Sequence, residues 1–264
     1  MTKSRTQSAL TTLAQLLLIT TFMTLMGCTT TQVITANSKP PVQLQTVISD
    51  AERVDVMILP FAPNLETLPE SGGDDIPVSA EVRRAESRYL AFHLKDTLER
   101  TGNWGIVRVV PSAARHHPLL VSGKILASDG ERLTVLVKAT DASGRTWLTQ
   151  TYEDTASKYA YQSVKEDPFQ DLYNNIANDL VQQYQTRAVS EISNIKQIAQ
   201  LAFAADLAPD AFASYLIENR DGTTSIAQAP ADNDTILQRV AKIQTQDDLL
   251  VDTLDDYYFK FYRD

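Results

Sequence analysis

The chain has 264 residues, 43% of them hydrophobic and 22% charged, with 24 Lys and Arg against 33 Asp and Glu for a formal net charge of −9. An apolar fraction near the globular average excludes wholesale disorder, and the acidic balance leaves no excess of cations to displace phosphate counterions, which excludes a general nucleic-acid binder. One cysteine excludes an intrachain disulfide, and with only three histidines it leaves little for zinc, so no cofactor or metal is expected.

Residues 1–27 read as a signal peptide. Lys3 and Arg5 supply a positive leading region, and Leu16-Leu17-Leu18-Ile19 with Phe22, Met23, Leu25 and Met26 supply an apolar run too short and interrupted for a stable bilayer span. The segment closes on Leu25-Met26-Gly27-Cys28, and Cys28 is the sole cysteine of the chain. This ending resembles the lipobox of bacterial lipoproteins, with Met26 in place of the usual small or branched residue. The resemblance implies a diacylglycerol thioether on Cys28, usually with a third, amide-linked chain, and two or more inserted chains anchor a protein stably. Thr29 in place of an acidic residue implies sorting to the outer membrane, with the body facing the periplasm. Loss of Lys3 and Arg5 takes the net charge from −9 to −11, so attachment is expected to depend on acyl chains, since anionic lipid repels an acidic body.

Residues 28–50 are polar, contain Pro40-Pro41 and show no helical stripe. They are expected to form a lipidated, flexible tether reaching ~70 Å at full stretch. An α+β domain is expected over 51–187. Val54 to Leu59 reads as a buried strand stopped by Pro60, and the Pro- and Gly-rich stretch 62–78 as a long loop. A helix over 81–101 is marked by Leu90, Ala91, Leu94 and Leu98, with Gly102 to stop it. Strands follow at 104–110, 119–127, 133–140 and 146–152, the last three joined by Gly-containing turns as an antiparallel meander. Asp167-Pro168-Phe169-Gln170 then predicts an N-cap, a proline at the first helical position and a capping box, ahead of the stripe Phe169, Leu172, Tyr173, Ile176, Ala177, Leu180, Val181 and Tyr184. The order predicts a two-layer sandwich: a mixed sheet with two helices on one face.

Val56-Met57-Ile58-Leu59-Pro60-Phe61, the helix ending Thr101-Gly102 and the strand opening Leu120-Val121-Ser122-Gly123 carry a further resemblance. They are similar to the amino-terminal domain of the Tol-system periplasmic propeller protein and to the core of curli-type secretion lipoproteins. No propeller repeat follows, and no extended amphipathic hairpin of a membrane channel is present in the sequence.

A mainly helical region is expected over 188–264. Ile192, Ile195, Ala199, Ala202 and Phe203 form one stripe, Pro209 opens a short helix, and a small hairpin turns at Asp221-Gly222. The last helix, from Asp232 or Asp234, carries Ile236, Val240, Ile243, Leu250, Leu254, Tyr257 and Phe261 at spacings of three and four, broken at Asp247. Such a pattern forms a coiled coil, lies in a groove, or packs on its own domain, and the last is the plain expectation. The chain stops on an aromatic run without a helix stop signal, and Tyr257, Tyr258, Phe261 and Tyr262 are the candidate partner-binding residues.

No catalytic constellation is legible. His116-His117 sit before Pro118, and adjacent histidines rarely share an ion unless a third, here His93, joins them. Ser122 lacks the G-x-S-x-G elbow, Gly72-Gly73-Asp74-Asp75 lacks the lysine of a phosphate loop, and Trp104 and Trp147 read as core. Asp247, Asp248, Asp252, Asp255 and Asp256 read as a solvated face that can also meet a basic partner. The expected function is a non-catalytic binding or scaffold module at the outer membrane, recognising an envelope protein or peptidoglycan and no nucleic acid. The alternative is a subunit of an oligomeric secretion assembly.

Overall fold

A computed structural model describes residues 33–35, 39–44, 48–49, 52–67, 79–156, 167–231 and 233–263, with backbone alone for 33–35, 255–256 and 258–263. Residues 1–27, read above as a signal peptide, Cys28 and Gly72 to Asp75 lie outside these residues.

Strand β1 is Val33–Thr35 and β2 is Val56–Ile58. Helix α1, Ala80–Thr101, starts where the Ser79 side chain accepts the Val82 amide at 3.2 Å and stops at Gly102, whose φ of 66° a side chain would strain. Strand β3 (Val107–Val109) returns parallel to β2, so β2, α1 and β3 form a crossover unit. Strands β4 (Leu119–Ser128), β5 (Arg132–Asp141) and β6 (Thr146–Thr155) form the expected antiparallel meander, and β4 lies parallel to β2. The sheet is therefore mixed, in the order β1-β6-β5-β4-β2-β3.

Alternation decides what this sheet buries. Leu133, Val135, Val137 and Ala139 of β5 share a face with Val121 and Ile125 of β4 and with Tyr152 of β6. All are buried in one cluster with the α1 stripe and with Leu172, Tyr173, Ile176 and Leu180 of α2 (Gln170–Gln185). One cluster holding both helical stripes and one sheet face is the two-layer α+β arrangement. Gly123 is required within it, since a Cβ there would collide with the buried Phe61 ring.

The start of α2 differs from its expected cap. Asp167 Oδ1 accepts the Phe169 amide at 2.8 Å, while Oδ2 takes the Tyr89 hydroxyl of α1 at 2.6 Å. The Gln170 side-chain oxygen accepts from the Arg100 guanidinium at 3.1 Å while its nitrogen donates to Thr97 and Asn174, so no capping box forms. A contact between helices has taken the groups that a local cap would use.

Part of the expected tether is also held. Val33–Thr35 pair parallel with β6. Asn103, itself buried, accepts the Leu44 amide at 2.9 Å and donates to the Val42 carbonyl at 2.7 Å, while Asn178 accepts the Val42 amide at 2.7 Å. Leu44 packs against the main core. A polar composition without a stripe predicts flexibility, but backbone groups satisfied by remote asparagines and by an open sheet edge need no stripe.

Helix α3 (Val189–Leu207) buries its predicted stripe and joins two clusters: Ile192 and Ile195 complete the main core, while Leu201, Phe203 and Ala204 open a second with Phe212. Short α4 (Pro209–Phe212) leads to the hairpin β7 (Leu216–Glu218) and β8 (Thr224–Ile226), turned at Gly222. Helix α5 spans Thr235–Arg263. None of the described helices is long and apolar enough to cross a membrane.

Candidate partner-binding surface

Asp234 stands just before helix α5, and its carboxylate accepts the Ile236 and Leu237 amides at 2.8 and 3.0 Å. Its first turns are rooted by Leu237 and Val240, both buried against Leu201, Phe203, Ala204 and Phe212. Two turns further on the attachment becomes ionic. Arg108, on edge strand β3 and only 5% exposed, donates through Nε and Nη2 to the two oxygens of Asp252 at 2.6 and 3.0 Å, and its Nη1 lies 3.4 Å from Asp248. Burial works against the Arg108 charge, but Asp252 and Asp248, with a smaller contribution from Asp55, outweigh it and hold its pKa above the ordinary value. Burial in turn raises the Asp248 carboxyl, opposed by Arg108. This two-pronged pairing is the geometry to which a guanidinium is suited.

The body-facing side of α5 thus runs through Leu237, Val240, Asp248 and Asp252. The predicted stripe lies mostly on the other side: Ile236, Ile243, Leu250 and Leu254 are 47% to 59% exposed, and Tyr257 is 67% exposed. Of the stripe's described side chains only Val240 is buried, which corrects the expectation that α5 packs its seam on its own domain. The reason is angular. At 100° per residue, Leu237, Asp248 and Asp252 sit ~100° or more around the helix from Ile236 and Leu254, so one edge of the helix meets the body and the seam turns outward. Between α5 and the sheet edge, Pro60, Phe92, Val109, Val110, Pro111, Val251 and Leu254 line an apolar groove of about 210 Å³ with Arg88 at its side. Leu254 belongs to both groove and stripe.

The remaining candidates are dispersed. Tyr258, Phe261 and Tyr262 lie on the α5 backbone, with side chains outside the described residues. Asp248 and Asp252 are counterions of Arg108, which corrects their reading as part of a merely solvated face. Arg108 itself was visible only as a lone cation inside Val107-Arg108-Val109, a strand pattern that demands a counterion without naming it. Ser122 Oγ donates to the Lys138 carbonyl at 3.4 Å. Trp104 is buried edge-on to Tyr184, and buried Trp147 donates to Asp141 at 2.8 Å beneath the Arg187 guanidinium, so neither tryptophan offers a face for sugar stacking. His93 lies between the rings of Tyr89 and Tyr173, whereas His116 meets Phe203 edge-on and approaches Asp206 at 3.5 Å. Among the described residues no three His, Cys, Asp or Glu side chains are grouped to hold a metal ion.

His117 is buried, and desolvation, reinforced by the charge of His116, lowers its pKa from 6.5 to about 4. Between those values the unfolded chain binds a proton that the folded chain refuses, so stability is fully present above pH 6.5 and is lost as pH falls through 4. Urea midpoints at pH 7 and pH 5 are expected to fall for the wild type and to converge when His117→Gln removes the titration. An equal fall in the variant would assign the loss to other groups.

No family model and no curated protein matches this chain. A solved structure, protein XCC0632 from Xanthomonas campestris of the DUF330 family, is similar over 59% of this chain and 97% of its own, at 10% identity and a TM-score of 0.35. A likeness this loose carries no argument about the present chain.

Proposed function

We propose that this protein is a lipid-anchored periplasmic protein of the outer membrane, held through acylated Cys28, and that it acts there as a non-catalytic binding or scaffold module in envelope assembly or maintenance. The observation that carries the binding role is α5, a helix fixed to the body by Arg108 that leaves an ordered apolar stripe facing water. Ordered, exposed apolar surface of this kind marks interaction sites. The stripe is mostly aliphatic and both tryptophans are buried, which favours a protein over peptidoglycan as the occupant. The location rests on the sequence Leu25-Met26-Gly27-Cys28.

Intact mass of the protein extracted from cell membranes in detergent tests the anchor. The expected product begins at Cys28 and carries diacylglycerol with or without an amide-linked third chain. An unmodified thiol at Cys28, or release into buffer without detergent, overturns it. Turnover of a cell-wall fragment that a single polar substitution abolishes would overturn the non-catalytic part.

A further inference from the structure

We infer that the occupant of the α5 stripe is a second copy of this chain, its α5 laid against the first in antiparallel sense. The inference rests on the reading of α5 as the docking surface and names what docks there. Its first support is the seven-residue repeat. Ile236, Ile243, Leu250 and Tyr257 recur every seven residues, and Val240, Asp247, Leu254 and Phe261 stand four residues after each. A narrow seam kept in strict heptads is matched to another helix, whereas packing on a sheet or a bilayer favours a broader apolar arc. The 29 residues of α5 extend ~43 Å and hold four heptads, enough for a stable pair.

Charge decides the orientation. Residues 235–246 contain Arg239 and Lys242 and no carboxylate, while residues 247–256 contain five aspartates and no base. A parallel pair in register would stack acid on acid and set Asp247 against its own copy inside the seam. Carboxylates that close lie well within the ~10 Å screening length and repel. Turning one helix over brings the basic stretch onto the acidic one. In the register that pairs Asp247 with the partner's Leu250, the exposed seam positions overlap, Val240 stays on its own body, and the two Asp247 carboxylates fall in neighbouring layers where the parallel pair would set them directly opposite. A single polar seam residue that costs stability but fixes orientation is a known device of helix pairs. Because the body meets α5 along Leu237, Val240, Asp248 and Asp252, it leaves the seam edge with Ile243, Leu250 and Leu254 open to the second helix.

The full chain in detergent, studied by light scattering after size exclusion, is expected to be a dimer, and Leu250→Asp is expected to weaken it on the order of 100-fold while leaving the circular dichroism unchanged. Oxidative crosslinking reads the orientation, with wild type alongside as the control for Cys28. In the antiparallel register the two copies of residue 250 lie near the centre and the two copies of residue 236 ~37 Å apart along the axis. Leu250→Cys should therefore link to itself and Ile236→Cys should not. Self-linking at both positions, a larger ring, or a monomeric wild type overturns the inference. A monomer with acylated Cys28 would remove the pairing and leave the anchor intact, whereas a dimer with a free Cys28 thiol would do the reverse.

Discussion

Replacing Asp248 and Asp252 together by Asn is expected to destabilise the protein by about 3 kcal/mol and to loosen α5 beyond residue 247. Arg108 is buried, and its fork finds its counter-charge in these two carboxylates. Stripping the partners from a buried ion typically costs ~3–5 kcal/mol. The lower end applies because both carboxylates keep about a third or more of their own surface in water and because the amide oxygens still accept hydrogen bonds. Urea unfolding reads the stability. Hydrogen exchange reads the location: amides of 248–263 should lose protection while those rooted by Leu237 and Val240 keep theirs. Adding Arg108→Met to the double variant should recover most of the loss, since a buried ion pair replaced by apolar bulk is often neutral. Unchanged exchange in 248–263 would show that Arg108 is not what holds the distal half.

Asp141→Ala is expected to cost about 4 kcal/mol, the larger of the two effects. This buried carboxylate closes the β5–β6 turn by accepting the Ser143 amide at 2.9 Å, the Ser143 hydroxyl at 2.5 Å, the Arg145 amide at 3.2 Å and the Trp147 indole N–H at 2.8 Å. Alanine orphans all four donors, and each one left buried costs ~1–3 kcal/mol, reduced where the turn opens to water. The Ser143 carbonyl accepts the Thr224 amide at 2.8 Å, so the disturbance should reach the β7–β8 hairpin as lost protection at Thr224. Asp141→Asn should fall between, because it keeps one acceptor oxygen and turns a second donor toward the cluster. A loss under 1 kcal/mol for Asp141→Ala would mean that water replaces the carboxylate.

What was legible in the sequence shares a physical character. The α1 helix, the meander and the α2 stripe are marked by periodicity and by groups that act within a few residues, such as the helix stop at Gly102 and the Gly-containing turns of the meander. The features that sequence reasoning missed depend on distant partners. The Asp167 cap was diverted by Tyr89, 78 positions away, and the segment at Val42 is fixed by Asn178, 136 positions away. The α5 seam was readable as spacing, yet which edge of the helix meets the body is set by Arg108 across 144 positions. No local pattern carries that information. Arg108 inside a valine strand signals a need for counter-charge, and the run of aspartates signals a surplus, but only folding brings the two together.

If Cys28 is acylated as proposed, the pairing of Val33–Thr35 with β6 also limits how far the anchored body can roam. Five residue steps separate Cys28 from Val33, a leash of at most ~18 Å where a free segment to Asp50 would allow ~70 Å. With acyl chains on Cys28, a chain that has lost Lys3 and Arg5 and carries a net charge of −11 would be repelled by an anionic leaflet. Unzipping that one edge strand would then act as a clutch, trading a single ladder of backbone hydrogen bonds for a leash that ends at Pro40, where Asn178 and Asn103 still hold the chain, and that reaches ~43 Å at full stretch, roughly twice as far.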